Sequence, residues 1–190
     1  MNRRNGFTLI ELIVTMAIGA IVLSIAVPSY QASVQNNRRT TSINALATAL
    51  HLARSTAITQ RVFVAVCRSS DGANCLSGGG SGDWTQGWIV FTDPNNNATL
   101  DAGETLLRVH GALPGGATFV GNNNVANTVS FSSQGLARGS NGTIRHCDAR
   151  GAANASALVI SVGGQVRHAT DSPGDSDSIV DVQGVNVLCP

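Results

Sequence analysis

The sequence predicts an α+β fold: a long N-terminal α-helix, membrane-spanning in its first half and amphipathic in its second, packed on an antiparallel β-sheet head with disulfides. Three observations carry this expectation. Residues Phe7 to Val27 are almost wholly apolar, and only Glu11 among them is charged. From Ser42 to about Gln60, apolar residues recur mostly at spacings of three and four. Beyond residue 61, short β-branched or aromatic runs alternate with Gly, Asn and Asp clusters. The 190 residues and 19.5 kDa allow one ordinary domain with an appendage, too little for a two-domain enzyme.

Composition narrows the class further. All twelve basic residues are Arg, set against eleven acids, so the formal net charge is +1 and nothing in the bulk charge would coat nucleic acid. Only 12% of residues are charged, mean hydropathy is +0.11 and there are 21 Gly, which excludes a disordered chain and points to a turn-rich folded one. Four Cys without any Cys-x-x-Cys spacing fit two disulfides in an oxidising compartment better than a metal or redox motif.

The apolar run comes first. Its 21 residues, at about 1.5 Å rise each, make roughly 31 Å of helix, the thickness of a bilayer core. Arg3 and Arg4 before it predict a cytoplasmic N-terminus. A secretory signal has a shorter apolar core with small residues after it, whereas here Gly6 precedes the run, so the segment reads as retained. Glu11 is expensive inside a membrane, costing on the order of 2.5–3.5 kcal/mol, and such a charge normally has a partner; the alternative is a simple anchor with a tolerated charge near its end. Cleavage after Gly6 would free an amine at Phe7 that could meet the Glu11 of a neighbouring copy.

Gly6, Phe7, Thr8, Leu9, Ile10, Glu11 and Leu12 together resemble the class III signal of type IV pilins and pseudopilins. The resemblance implies that a prepilin peptidase cuts between Gly6 and Phe7 and N-methylates Phe7, and that Glu11 then guides docking into a growing filament. Pro28 fits the same pattern, since a proline inside a long helix removes a backbone bond and kinks or loosens it; the alternative is that the helix ends there, just outside the membrane. The resemblance divides the chain into a leader (1–6), a transmembrane and assembly helix (7–30), an amphipathic helix continuing into the head (31–60) and a β-rich periplasmic head (61–190).

In the second helical half, Ile43, Leu46, Ala47, Leu50, Ala57 and Ile58 mark the face that packs on a sheet, with Arg38, Arg39 and Arg54 on the other face or its margin. The stretch Leu52 to Ala57, followed by Arg61 and Val62 to Cys67, resembles the helix exit and first strand of the GspH/FimT group of minor pilins. Strands are expected near 61–67, 87–92, 105–110, 117–120, 127–132, 143–147, 157–162, 165–169 and 178–182. Ser69 to Gly82 reads as a glycine-rich surface loop and no phosphate cradle, since no Gly-Lys-Ser/Thr follows. Trp84 and Trp88 at its exit are expected to pack on the core.

The four Cys permit three connectivities. Closing Cys67 on Cys75, eight residues apart, is the simplest local bridge, and a Cys189-Pro190 tail tied back to the head resembles the minor-pilin pattern. The resemblance thus implies Cys67 with Cys75 and Cys147 with Cys189, against a zinc site including His146, whose spacing matches no structural zinc knuckle. Asp93, Asn95, Asn97, Thr99, Asp101 and Glu104 occupy positions 1, 3, 5, 7, 9 and 12 of a calcium-loop pattern, with Ala98 in place of the usual Gly. The competing expectation is an Asx-rich hairpin loop without metal. His51, His110, His146 and His168 stand in no nucleophile or metalloprotease motif, so neither catalysis nor a cofactor beyond a possible calcium is expected.

Beyond residue 60 the chain has seven Arg against ten acids, a balance of minus three that opposes general phosphate attraction. Between 138 and 167, Arg138, Arg145, Arg150 and Arg167 face only Asp148. Some FimT-like pilins bind DNA through a Gly-Arg-x-Arg motif; here Gly164, Gln165, Val166, Arg167 keep one Arg of the two, leaving Arg167, Arg145 and Arg150 as DNA-contact candidates. The whole reading is of a non-enzymatic minor type IV pilin acting in pilus initiation or at the tip. Its implied partners are other major and minor pilins, the prepilin peptidase and the inner-membrane assembly platform. It would sit as a single-pass inner-membrane protein with a periplasmic head, then in a pilus or pseudopilus. Alternatives are a DNA-binding pilin for DNA uptake and a type II secretion tip pseudopilin.

Overall fold

The computed structural model describes residues 7–76, 82–171, 179–182 and 184–189. They form one long helix, α1 (Leu9–Gln60), and ten short strands in three antiparallel sheets. By contact the chain divides into two compact units between Arg38 and Arg39.

In the first unit α1 starts at Thr8, whose hydroxyl accepts the Glu11 backbone N–H at 3.3 Å while its carbonyl accepts the Leu12 N–H. Thr8-x-x-Glu11 is thus a capping-box sequence, and a carboxylate in a first helical turn lies at the favourable end of the helix dipole. The helix runs through Pro28 without interruption. This excludes the alternative in which the helix ends there; the single amide that proline removes does not break the helix. Thr15 and Ser24 return their hydroxyl protons to the carbonyls of Leu12 and Ile21, which leaves no polar side-chain donor of theirs exposed to an apolar surrounding.

In the second unit the face of α1 carrying Ile43, Leu46, Ala47, Ala49, Leu50, Ala53 and Ala57 is buried. It packs against Val64, Val66, Val90, Val129 and Phe131 of one sheet and Ile144, Leu158 and Ile160 of another. The first sheet has the order β3-β2-β1-β5, with β1 (Val64–Arg68), β2 (Trp88–Thr92), β3 (Leu106–His110) and β5 (Thr128–Phe131). The second has the order β4-β6-β7-β8, with β4 (Ala117–Gly121), β6 (Gly142–Asp148), β7 (Ser156–Ile160) and β8 (Val166–His168). The third is a small ribbon of β9 (Asp181–Val182) and β10 (Val185–Asn186).

Several expectations shift by a few residues for identifiable reasons. The first strand begins at Val64 instead of residue 61 because Arg61 takes a left-handed φ of 57°, the backbone state that terminates helices, before the chain straightens. Ile58, expected in the buried stripe, is 47% exposed at the helix's last turn. The strand β10 was not expected: two residues beside Gly184 are too short to show a period of two. Trp84 and Trp88 are both fully buried, as expected, and the Trp84 indole N–H donates to the Val125 carbonyl at 3.1 Å.

Candidate functional site

Two regions hold the functional candidates. The first is the apolar segment of α1. Its best 18-residue window has a mean hydropathy of 2.5 with none of it buried, so it is long and apolar enough to cross a membrane. Phe7 is 87% exposed, and Glu11 is exposed on the first turn. Gly6 lies outside the described residues. What this segment offers chemically is an uncovered apolar cylinder with one carboxylate near its start. Such a surface is stable only in lipid or against other apolar helices.

The second region is the head, which meets its own requirements. Cys67 is joined to Cys75 (Cα–Cα 5.5 Å) and Cys147 to Cys189 (Cα–Cα 5.7 Å), and no described cysteine is free. The first bridge fixes the end of β1 to the following loop. The second ties the C-terminal segment onto β6, where Cys147, Ala155, Ala157 and Val187 form a separate apolar cluster. Asp71 organises the loop after β1, accepting the amides of Ala73 and Asn74 and the Asn74 side chain. That Asn74 side-chain bond, followed by the two amides, holds the Asp71 carboxyl well below the usual range.

The Asp93–Glu104 loop closes on itself. Buried Asp93 accepts the Asn97 and Ala98 backbone amides, each at 3.0 Å. Asp101 accepts the side chains of Asn95 at 2.9 Å and Asn97 at 2.7 Å, contacts that lower its pKa. Glu104 accepts the Asp101 amide, and the Thr99 amide donates to Asn97. Ala98 itself sits at φ 59°, where the motif's usual Gly would be unstrained.

The four His are spread over the head. His51 is exposed on α1 and His168 on β8; His110 stacks on Trp88 with centroids 4.0 Å apart. His146 is buried edge-on against Phe119 at 5.4 Å, and burial pushes its pKa down.

The three arginines singled out for DNA have different settings. Arg150 is clamped on Asp148, with its Nη2 2.6 Å from the carboxylate, which lowers the Asp148 pKa and raises that of Arg150. Arg145 is half-buried, lining a cavity with Thr143, Val182 and Val187. Arg167 is exposed on β8. Gly164, the glycine of the partial motif, has φ 72°, and a Cβ there would run into the Gly135 carbonyl. Its place in the sequence is thus accounted for by the tight turn between β7 and β8. Arg54 bridges this turn to the one that follows β5, donating to the carbonyls of Gly135 at 3.2 Å and Gly163 at 3.1 Å. The sequence placed Arg54 only on a margin; its spacing from the buried Leu50, Ala53 and Ala57 carried the signal.

Comparisons with known proteins agree with this division of the chain. Residues 42–164 match the family model of the type II transport protein GspH, and residues 1–27 match the prokaryotic N-terminal methylation motif. Among solved structures, the fold is similar to the type IV minor pilin FimU of Pseudomonas aeruginosa. One crystal form gives a TM-score of 0.52 at 20% identity over 70% of this chain and 89% of that one. A second form gives 0.51 at 20% identity over 68% and 90%. No curated protein sequence matches the chain.

Proposed function

Since the chain belongs to the GspH family and carries the N-terminal methylation motif, we propose that it is a minor type IV pilin, a structural, non-enzymatic subunit that helps to initiate or tip a pilus after prepilin peptidase cleavage. The observation that carries this reading is the wholly uncovered apolar stretch of α1 with Glu11 in its capped first turn, beside a head that buries its own core. A lone anchor needs no carboxylate in its apolar span. A helix that must take up one position among other helices gains from one, because an unpaired charge in low dielectric penalises every wrong register.

Cleavage between Gly6 and Phe7 supplies the partner. The new amine at Phe7 lies four residues before Glu11, about 6 Å along a helix, so a neighbouring helix displaced by roughly one turn would bring its amine level with this carboxylate. N-methylation leaves that amine able to carry its positive charge. The peptidase, the assembly platform of the inner membrane and the other pilins are the partners this cycle requires.

The test is Glu11→Ala in the full chain. Processing and membrane insertion are expected to persist while the amount recovered in sheared filaments falls about tenfold, the loss of roughly 1.4 kcal/mol of docking free energy. Normal incorporation would overturn the pairing. Gly6→Leu is expected to abolish processing, read as a band that stays at the precursor size. A deletion strain that loses surface pili but keeps protein secretion places the chain in a pilus; the reverse phenotype moves it to a type II secretion pseudopilus.

A further inference from the structure

Each four-stranded sheet has two edges, and they are not alike. The outer side of β4 is occupied: Trp84 donates its N–H to Phe119 and Gly121 donates to Gly82. The outer side of β5 is also engaged, since the Ser130 amide donates to the Ser140 hydroxyl. Strand β8 is three residues long. Strand β3 has five residues, about 17 Å. Among the described residues no hydrogen bond is seen on the outer side of its backbone, and its Leu106, Arg108 and Val109 side chains are exposed, Val109 with Gly72 of the loop after β1 beside its Cγ1. A strand with a free row of amides and carbonyls is a template for another strand.

Beside this edge runs a groove formed within the head by α1 and β3. It consists of two adjoining cavities of about 600 and 640 Å³ that share Thr48 and Arg108. The helix contributes Thr48, His51 and Ser55, and the strand contributes Arg108, Val109 and His110. Arg54 also lines it, with its guanidinium held by the Gly135 and Gly163 carbonyls at the turns after β5 and β7. No Asp or Glu lines either cavity, and Arg108 has no ion-pair partner among the described residues.

We propose that the free edge of β3 and its groove receive an extended acidic polypeptide segment of a neighbouring subunit, which pairs as an added strand and sets its carboxylates against Arg108. Charge selects this occupant. A second copy pairing edge to edge about Arg108 would oppose two guanidinium groups, whereas alternate acidic side chains of a hetero-partner would fall on the basic side of the groove. The proposal deepens the pilus-assembly reading and rests on it only for the source of the strand. Its test reads binding without filaments, so it can fail while the Glu11 experiment succeeds.

The test uses the full chain in detergent and a fluorescent ten-residue peptide alternating Val or Thr with Asp, followed by anisotropy. Three further probes accompany it: the same peptide N-methylated at alternate backbone amides, a Lys-for-Asp counterpart, and a single-stranded oligonucleotide of equal charge as competitor. The acidic peptide is expected to bind. N-methylation and Arg108→Glu are each expected to weaken it about tenfold or more, and the Lys peptide should not bind. Arg108 is exposed, so an unchanged thermal melt of R108E would show that the fold is retained. Equal binding of the N-methylated peptide overturns strand addition. No binding of any peptide overturns the site, and displacement by the oligonucleotide at equal charge concentration reassigns the groove to nucleic acid.

Discussion

Between Leu9 and Val27 the large apolar side chains are 47–76% exposed, while in the head Leu46, Leu50, Trp84, Trp88, Phe91 and Phe119 have no exposed surface. The two regions have similar residue types and opposite fates. In the head, apolar residues recur on one face of a helix and on alternate strand positions, so the chain can cover them with its own sheets. In the N-terminal segment they surround the helix, and no single face could cover them. Hydrophobic stabilisation of that segment therefore has to come from surfaces other than its own single face. A mutation in one region should accordingly be read by folding assays and in the other by assembly assays.

The sharpest way to break this comparison is a matched pair of truncations. Leu50→Ala removes a fully buried side chain that packs between α1 and the sheets, and is expected to cost the head about 2–5 kcal/mol in thermal or denaturant unfolding. Leu23→Ala removes the same atoms from a residue 61% exposed and should leave head unfolding unchanged. Equal losses from the two would mean that the N-terminal segment is part of the head's cooperative unit.

A smaller effect sharpens the view of the head as self-sufficient. Replacing Cys147 and Cys189 by Ser opens a bridge spanning 42 residues and is expected to cost roughly 2–4 kcal/mol, more than opening Cys67–Cys75 across eight. Melting of the two double mutants under identical conditions checks the order. A larger loss from the short bridge would show that the loop after β1 contributes more than chain closure.

Much of this was legible beforehand, unevenly. The helix, the two core tryptophans and the positions of most strands follow from periodicity and turn residues, because each such signal is local. What stayed hidden depends on pairing across the chain. The spacing of Arg54 sets it beside the buried stripe, but nothing local names the acceptors of Arg54 and Arg39, the carbonyls of Gly135, Gly163 and Asn154, more than 80 residues away. Arg150 is held at a turn by Asp148, two residues before it, a pairing that the charge count alone does not assign. The free edge of β3 is a property of strand order, which no single segment encodes. In contrast, Thr8-x-x-Glu11 could have been read as a capping box from four residues, giving Glu11 a local role in starting the helix as well as one in docking.

The smallest expected effect concerns His146, a titratable residue buried in the head. It is 3% exposed, lies edge-on to Phe119, and its Nδ1 has no hydrogen-bond partner among the described residues. Burial is the main cause that lowers its pKa from the ordinary 6.5, with Arg39 and Arg150 acting in the same direction and Asp148 opposing. Between the lowered folded value and 6.5 the unfolded chain therefore binds more protons than the folded one. By linkage the stabilisation is fully present above pH 6.5 and is lost as pH falls through the folded value. The carboxylates act lower: Asp148, held down by Arg150, contributes above its ordinary 3.8 and loses that contribution only below it. The melting temperature of the head should thus begin to decline below about pH 6.5, the upper step, and decline further below about pH 3.8, the lower one. His146→Phe, which keeps a ring against Phe119 and removes the titrating group, should flatten the upper step and leave the lower one. An unchanged slope between pH 7 and 5 in that variant would assign the upper step to another group.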